Sequence, residues 1–200
     1  RERKIHHQRC ERGKKKTELK VTGKIKRTGT KVTYLPDSEI FDSLDYDVER
    51  LLHRLEELSY LNRGAKITFL DERTGESTTF QQKKGIQAYV ERLNQAREPV
   101  HSVIYFTRSR DGTEAEIALQ YNAGYNELIL SYANNIHTAE GGTHVSGFKT
   151  ALTRVINQYA RKAGLLKEKD ANFGGEDVRE GLTAVISVKL LQPQFEGQTK

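Results

Sequence analysis

The 200 residues suffice for two modest domains with a core each, and their single cysteine, Cys10, excludes an internal disulfide framework or a cysteine metal cluster. The six histidines stand at no ligand spacing and no apolar run approaches the roughly 18 residues of a membrane span, so a reducing, cytoplasmic setting is predicted. The formal net charge of +6 is uneven: residues 1–31 hold thirteen basic and three acidic side chains, a surplus of +10, which leaves the remainder at −4. Such a block marks either a surface facing nucleic acid or a lysine-rich strand edge that discourages aggregation, and on charge alone both readings stand. Methionine is absent, which reads as a piece of a longer polypeptide.

Residues 3–11 and 18–34 alternate in the strand manner, with turn signals at Gly13, at Gly23 and at "RTGT", so an antiparallel sheet opens the chain. The stretch "TGTKV" begins a strand in this reading. After "PDSEIF", the run "DYDVERLLHRLEELSYLN" places Val48, Leu51, Leu52, Leu55, Leu58 and Leu61 at helical spacing, with Asp45 or Asp47 as N-cap and Gly64 as the stop. "AKITFL" and "TTFQQ" read as strands joined through "DERTGES", and a short helix, Gly85 to Asn94, follows. Beyond it "VHSVIYF" and "AEIALQYN" flank Asp111-Gly112, a strong hairpin signal, and "NELILSY" supplies a third strand. "ANNIHTAEGG" is expected to be a loop. Residues 145–163 repeat apolar side chains at Val145, Phe148, Leu152, Val155, Ile156 and Tyr159, which predicts the longest helix. "DVREG" makes a short turn before "LTAVISVKL", whose Ala184, Ile186, Val188 and Leu190 alternate toward one face. Strand, helix and strand of these lengths form a βαβ unit, right-handed by default.

Between Val145 and Ala163 the long helix carries Lys149, Arg154, Arg161 and Lys162 and no acidic residue. A polar side of one sign suits a polyanion whose phosphates are contacted for position rather than sequence. Dipole complementarity accounts equally well for Arg161 and Lys162 in the last turn, which leaves Lys149 and Arg154 as the DNA-facing candidates. "GGTH" opens the helix in the generic form of an anion site, but it lacks the Lys-Ser/Thr of a Walker loop, and such glycines more often permit a tight turn. No nucleophile elbow, zinc motif or Rossmann glycine pattern is present, so the chemistry is only partly encoded here.

Taken in order, "TGTKVTYLPD", "RLEELSYLNRG", "ITFLDERTG", "GGTHVSGFKTALTR", "GEDVREGLTAVISVKL" and "PQFEGQTK" closely resemble the ATPase subunits of bacterial type IIA DNA topoisomerases, the group formed by DNA gyrase B and its topoisomerase IV counterpart. The resemblance covers essentially the whole chain. It implies an α+β fold, with residues 1–84 the second half of a GHKL-type ATPase sandwich and residues 85–200 a transducer domain. The transducer's ribosomal-protein-like βαβ connection is left-handed in this family, against the default.

The resemblance also implies roles. Gln198 and Lys200 match a Gln-x-Lys that reaches back across the domain boundary to the terminal phosphate of ATP, with Lys200 as the catalytic cation; an ammonium there stabilises charge as it develops and senses the nucleotide. Thr30 matches a threonine near the adenine, Val32 an apolar wall of that pocket, and Arg1 an arginine at its mouth. Lys149 matches a basic residue facing the cavity through which DNA passes. The implied cofactors are ATP and Mg2+; the metal-binding asparagine, the catalytic glutamate and the glycine-rich lid would precede Arg1, so this chain alone is expected to be inactive and to hold no metal. Implied partners are DNA, a breakage-reunion subunit of the gyrase A or topoisomerase IV A type, and a second copy on ATP binding, with no membrane. The alternative is a stand-alone basic nucleic-acid-binding α/β module.

Overall fold

The computed structural model describes residues 3–195, and the chain falls into two compact units divided after Tyr46. In the first unit β1 (Lys4–His7) pairs antiparallel with β4 (Lys20–Lys24), and between them β2 (Cys10–Glu11) pairs with β3 (Lys14–Lys15). The β2–β3 turn is Arg12-Gly13, both at positive φ (47° and 74°), the backbone that matches strand twist in a two-residue hairpin. Gly23, a turn signal by sequence, does not turn the chain. It lies inside β4 opposite Ile5, where the pairing shifts by a bulge and a Cβ would stand 3.5 Å from the Ile5 side chain.

The expected strand at "TGTKV" does not form: residues 25–46 hold no strand, and Val32, Tyr34 and Leu35 are 79%, 72% and 88% exposed. Alternation makes a strand only where a neighbour supplies ladder hydrogen bonds and a surface takes the apolar face. Among the described residues this segment has neither.

The second unit begins with α1 (Val48–Leu61), whose N-cap is Asp47, accepting from the Arg50 N–H at 3.0 Å. The hairpin of β5 (Lys66–Asp71) and β6 (Glu76–Gln81) turns on Asp71, whose carboxylate accepts from the side chain and backbone of Arg73; those hydrogen bonds hold it down at about 2. Then come α2 (Ile86–Leu93), β7 (Ile104–Arg110), β8 (Thr113–Tyr121), β9 (Leu128–Ala133), β10 (Ile136–His137), α3 (Thr143–Lys162), α4 (Gly175–Arg179) and β11 (Leu182–Lys189). Asp111 and Gly112 turn β7 into β8 with φ of 50° and 76°, as the dipeptide predicts. The expected loop after β9 contains a second such turn, at Asn134-Asn135 (φ 49° and 65°), which returns the chain as β10.

The five strands run β10-β9-β11-β8-β7. β9 and β11, on either side of α3, are parallel neighbours, as the βαβ reading requires, and the other pairs are antiparallel. β11 differs from its expected one-faced alternation, because every residue from Leu182 to Val188 is buried. It is the central strand, covered on both sides. Val185 packs with Tyr60 and Leu61 of α1 and Ile86 and Val90 of α2; Ala184, Ile186 and Val188 pack with Phe148 of α3. The apolar stripe of α3 is covered at Phe148 and, in part, at Leu152, but lies open at Val155 and Tyr159, 56% and 67% exposed; the stripe runs on past the surface that covers it.

Two polar networks lock the layers. Tyr132 donates to Glu57 on α1, Glu57 also pairs with Arg54, and Arg54 donates to the Asn135 carbonyl at 2.8 Å. Burial, reinforced by Glu57, pushes the Tyr132 hydroxyl far above the usual phenol range, so it remains a donor. The Tyr60 and Tyr89 rings stack beside this network with centroids 4.6 Å apart, joining α1 to α2 within the second unit. At the other end of the sheet, Thr183 donates to Asn94 Oδ1 (2.7 Å), Asn94 to Gln120 (2.8 Å) and Asn122 to Thr183 (3.3 Å), all four residues being buried.

Gly181 delivers β11 into that second network. Its φ is 70°, and a Cβ there would stand 2.5 Å from the Asn122 carbonyl oxygen and 2.6 Å from that of Gly124, both backbone atoms that cannot swing away. Gly181→Ala is therefore expected to destabilise the chain by more than about 2 kcal/mol. Chemical denaturation checks this; an unchanged midpoint would contradict the close approach.

Candidate functional site

The site is built on α3, and its start depends on glycine. Gly141 and Gly142 turn the chain at φ of 83° and 148°, and a Cβ on Gly142 would collide with the His144 ring at 2.9 Å. His144 Nε2 in turn meets the Thr138 hydroxyl at 3.1 Å, and burial lowers its pKa. The glycines thus fit a histidine into the helix entry.

Along its polar side, α3 forms one wall of a groove of about 820 Å³, whose other wall is the 172–179 segment. Lys149, Arg154, Arg161 and Arg179 line it, together with Asn157 and Phe173, and no lining residue is a carboxylate. Asn157 holds the walls in register: its amide donates to the Thr153 and Phe173 carbonyls at 3.0 Å each, and its oxygen accepts from the Phe173 N–H at 2.8 Å. Buried and fully paired, this side chain fixes the groove width.

The four cations differ in what holds them. Arg161 donates to the Lys167 and Asp170 carbonyls (both 2.9 Å) and to Asn172 Oδ1 (2.7 and 3.0 Å), so it orders the loop after α3 through neutral oxygens and keeps its charge uncompensated. Dipole complementarity alone does not call for these bonds. Arg154 is exposed and makes no hydrogen bond or ion pair among the described residues. Lys149 is ion-paired with Glu127, and Arg179 pairs with the other oxygen of the same carboxylate at 2.5 Å. Burial alone would raise the Glu127 pKa; the hydrogen bonds from Lys149 and Arg179 outweigh it and hold the carboxyl below its usual range.

Lys149 and Arg154 are thus brought together on one groove wall. Thr30 and Val32 lie in the irregular segment of the first unit, both exposed. Arg1, Gln198 and Lys200 lie outside the described residues. Sequence reasoning misses Arg179 and Glu127: Arg179 sits in a five-residue helix too short for periodicity, and Glu127 meets it across 52 positions. Among the described residues no group of three or more His, Cys, Asp or Glu could hold a metal ion, and no helix is long and apolar enough to cross a membrane.

Comparison with known proteins adds a lineage to this geometry. The family model described as DNA gyrase B matches residues 85–200. The chain is 52% identical to the DNA gyrase B protein of Bacillus mycoides across all of its own length and 50% of that protein's. It is 54% identical to the Clostridium acetobutylicum gyrase B protein, with 98% of this chain and 31% of that protein covered. It therefore spans about half of the curated relatives or less. Among solved structures, the ATPase domain of Thermus thermophilus gyrase B in complex with an aminocoumarin matches with a TM-score of 0.83 and 42% identity, covering 98% of this chain and 55% of that one. The topoisomerase IV ATP-binding domain of Francisella tularensis matches with a TM-score of 0.80 and 26% identity, covering 100% and 55%.

His144 provides a pH test of the packing at the start of α3. Its folded pKa lies below the ordinary 6.5, so the folded chain binds fewer protons than the unfolded one. The stability tied to neutral His144 is complete above pH 6.5 and is lost as pH falls through the folded value. His144→Gln should flatten the fall in unfolding free energy below pH 6.5, read by denaturant titration at several pH values; an unaltered pH profile would contradict the burial.

Proposed function

The chain belongs to the DNA gyrase B family, and from that premise we propose that it forms part of the ATPase region of an ATP-dependent type II DNA topoisomerase, coupling nucleotide binding and hydrolysis to subunit dimerisation and DNA strand passage. The observation that carries the DNA half of this reading is the groove of four cations with no carboxylate in its lining. Lys149 and Arg154 are assigned to phosphate contacts, which hold a duplex without reading its bases. A surface used for passage has reason to lack base readout, since any sequence must be accepted.

The ATP half rests on resemblance. In this proposal residues 1–84 complete a GHKL-type nucleotide-binding domain, with Thr30 and Val32 at the adenine and Arg1 at the pocket mouth. Residues 85–200 form the transducer, and Gln198 and Lys200 reach the terminal phosphate. A lysine suits that post because it carries a point charge on a long flexible stem. ATP is the nucleotide used, and Mg2+ is the metal that the resemblance implies beside it. A breakage-reunion subunit and a second copy of the same subunit are the protein partners, in the cytoplasm.

Two measurements on the full-length subunit test the two halves separately. Lys149→Gln with Arg154→Gln should reduce the slope of log binding constant against log salt for duplex DNA by between about 1 and 2, and slow strand passage while ATP turnover persists. An unchanged slope would reject the groove. Lys200→Ala should lower ATP turnover by about 10²-fold or more with folding intact, and normal turnover would reject its catalytic role. Submicromolar, steeply salt-dependent DNA binding by the present chain alone would instead favour a stand-alone binding module.

A further inference from the structure

The groove carries cations on both walls, and its counter-charge stands just outside the lining. Glu127 lies in the segment between β8 and β9 and directs one carboxylate oxygen to Lys149 of α3 and the other to Arg179 of α4. Of the four lining cations, these two are therefore neutralised in part by a single negative charge, while Arg154 has no partner among the described residues and Arg161 is bound only to neutral oxygens. The triad is not sealed from water: the side chains of Lys149, Glu127 and Arg179 are 34%, 29% and 16% exposed. A phosphate arriving in the groove can therefore compete with the carboxylate for the same N–H donors. Lys149 is the better placed to switch, being the more exposed of the two cations and the one with a long unbranched stem.

We infer that Glu127 is an internal counter-anion that competes with nucleic-acid phosphates for Lys149 and Arg179, weakening the groove's hold so that a bound duplex is released rather than retained. The inference rests on the proposal that the groove meets DNA. Its physical logic is that of any path through which a ligand must pass: the walls attract enough to admit it, and an opposing term keeps the well shallow enough to leave. When a phosphate replaces the carboxylate, Glu127 is left half-buried without its partners, and that penalty subtracts from binding. The effect falls on residence time, since changes in affinity among variants of one interface lie mostly in the dissociation rate.

The test is duplex DNA binding by the full-length subunit, wild type against Glu127→Gln, at two salt concentrations, with dissociation followed after dilution. Glu127→Gln keeps the side-chain shape and removes the competing charge. Binding should tighten by about fivefold or more at the lower salt, through slower dissociation. The salt slope should steepen by about 1 to 2 as two cations become available to phosphates. Unchanged or weaker binding by a folded variant would overturn the inference and make Glu127 a positioning residue for Lys149 and Arg179. Should Glu127→Gln fail to fold, Glu127→Ala serves: it removes the competing charge with its stem, and binding must tighten if the competition is real. The underlying groove proposal fails in a different way, because then Lys149→Gln with Arg154→Gln leaves DNA binding unaltered. Weakened binding in that double variant, with no gain in Glu127→Gln, removes only the counter-anion.

Discussion

From Leu182 to Val188, β11 has no side chain in water, and this single burial constraint organises the second unit. A central strand covered on both faces must find apolar partners above and below, ladder partners on both edges, and hydrogen bonds for its backbone polar groups; of its buried hydroxyls Thr183 is paired, while Ser187 Oγ has no partner among the described residues. The α1–α2 layer with Tyr132 supplies one apolar surface and Phe148 of α3 the other. The strands β8 and β9 complete the ladders. Thr183 brings a hydroxyl into this dry interior, and Asn94 and Asn122 meet it. That arrangement in turn dictates Gly181, because the backbone of residues 122–124 must pass too close for any side chain.

The groove inherits its shape from this scaffold. Phe148 fixes the rotation of α3 on the sheet, and that rotation determines that Lys149 and Arg154 project along the opposite margin. Asn157 then sets the separation of the second wall, and Arg161 orders the loop that leads to it. Arg161 is thus held by neutral oxygens, and Lys149 and Arg179 by a carboxylate that stands outside the groove lining. Preorganised positive charge of that kind costs a ligand little reorganisation, which is useful only if something else limits how tightly the ligand is held.

Local signals in the sequence are legible wherever a local interaction decides the structure. Asp47 caps α1 through its own side chain, Asp111-Gly112 supplies the positive φ that a tight hairpin demands, and the spacing of Phe148 and Leu152 orients α3. Asn134-Asn135 carries the same turn chemistry in weaker form, too weak to stand out from a loop by pattern alone. What cannot be read depends on partners distant in sequence. The strand-like pattern of residues 28–34 has no neighbour to pair with among the described residues, so propensity alone does not make it a strand. The alternation of β11 hides a second buried face because Thr183 and Ser187 look polar until Asn94 and the covering layers are known. In the site, positive charge on α3 is visible as composition. Its masking by Glu127 is not, since nothing within a helical turn of Lys149 announces a carboxylate from another segment.

Movement through the second unit is constrained by the contacts between α1 and the sheet. Glu57 on α1 accepts from the Tyr132 hydroxyl of β9 and pairs with Arg54, which reaches the Asn135 carbonyl at the β9–β10 turn. Asn135 closes the circuit by donating to Asn62 at the end of α1, at 3.0 Å. Rotating α1 against the sheet would break a partly buried charged network and unstack Tyr60 from Tyr89, and removing one partner from such a network costs several kcal/mol. These contacts couple α1 to the sheet, so displacing one of them strains the other. A bend inside the second unit would meet least resistance outside this contact. The position of the groove is tied to this same sheet, because Phe148 seats α3 on the opposite face of β11.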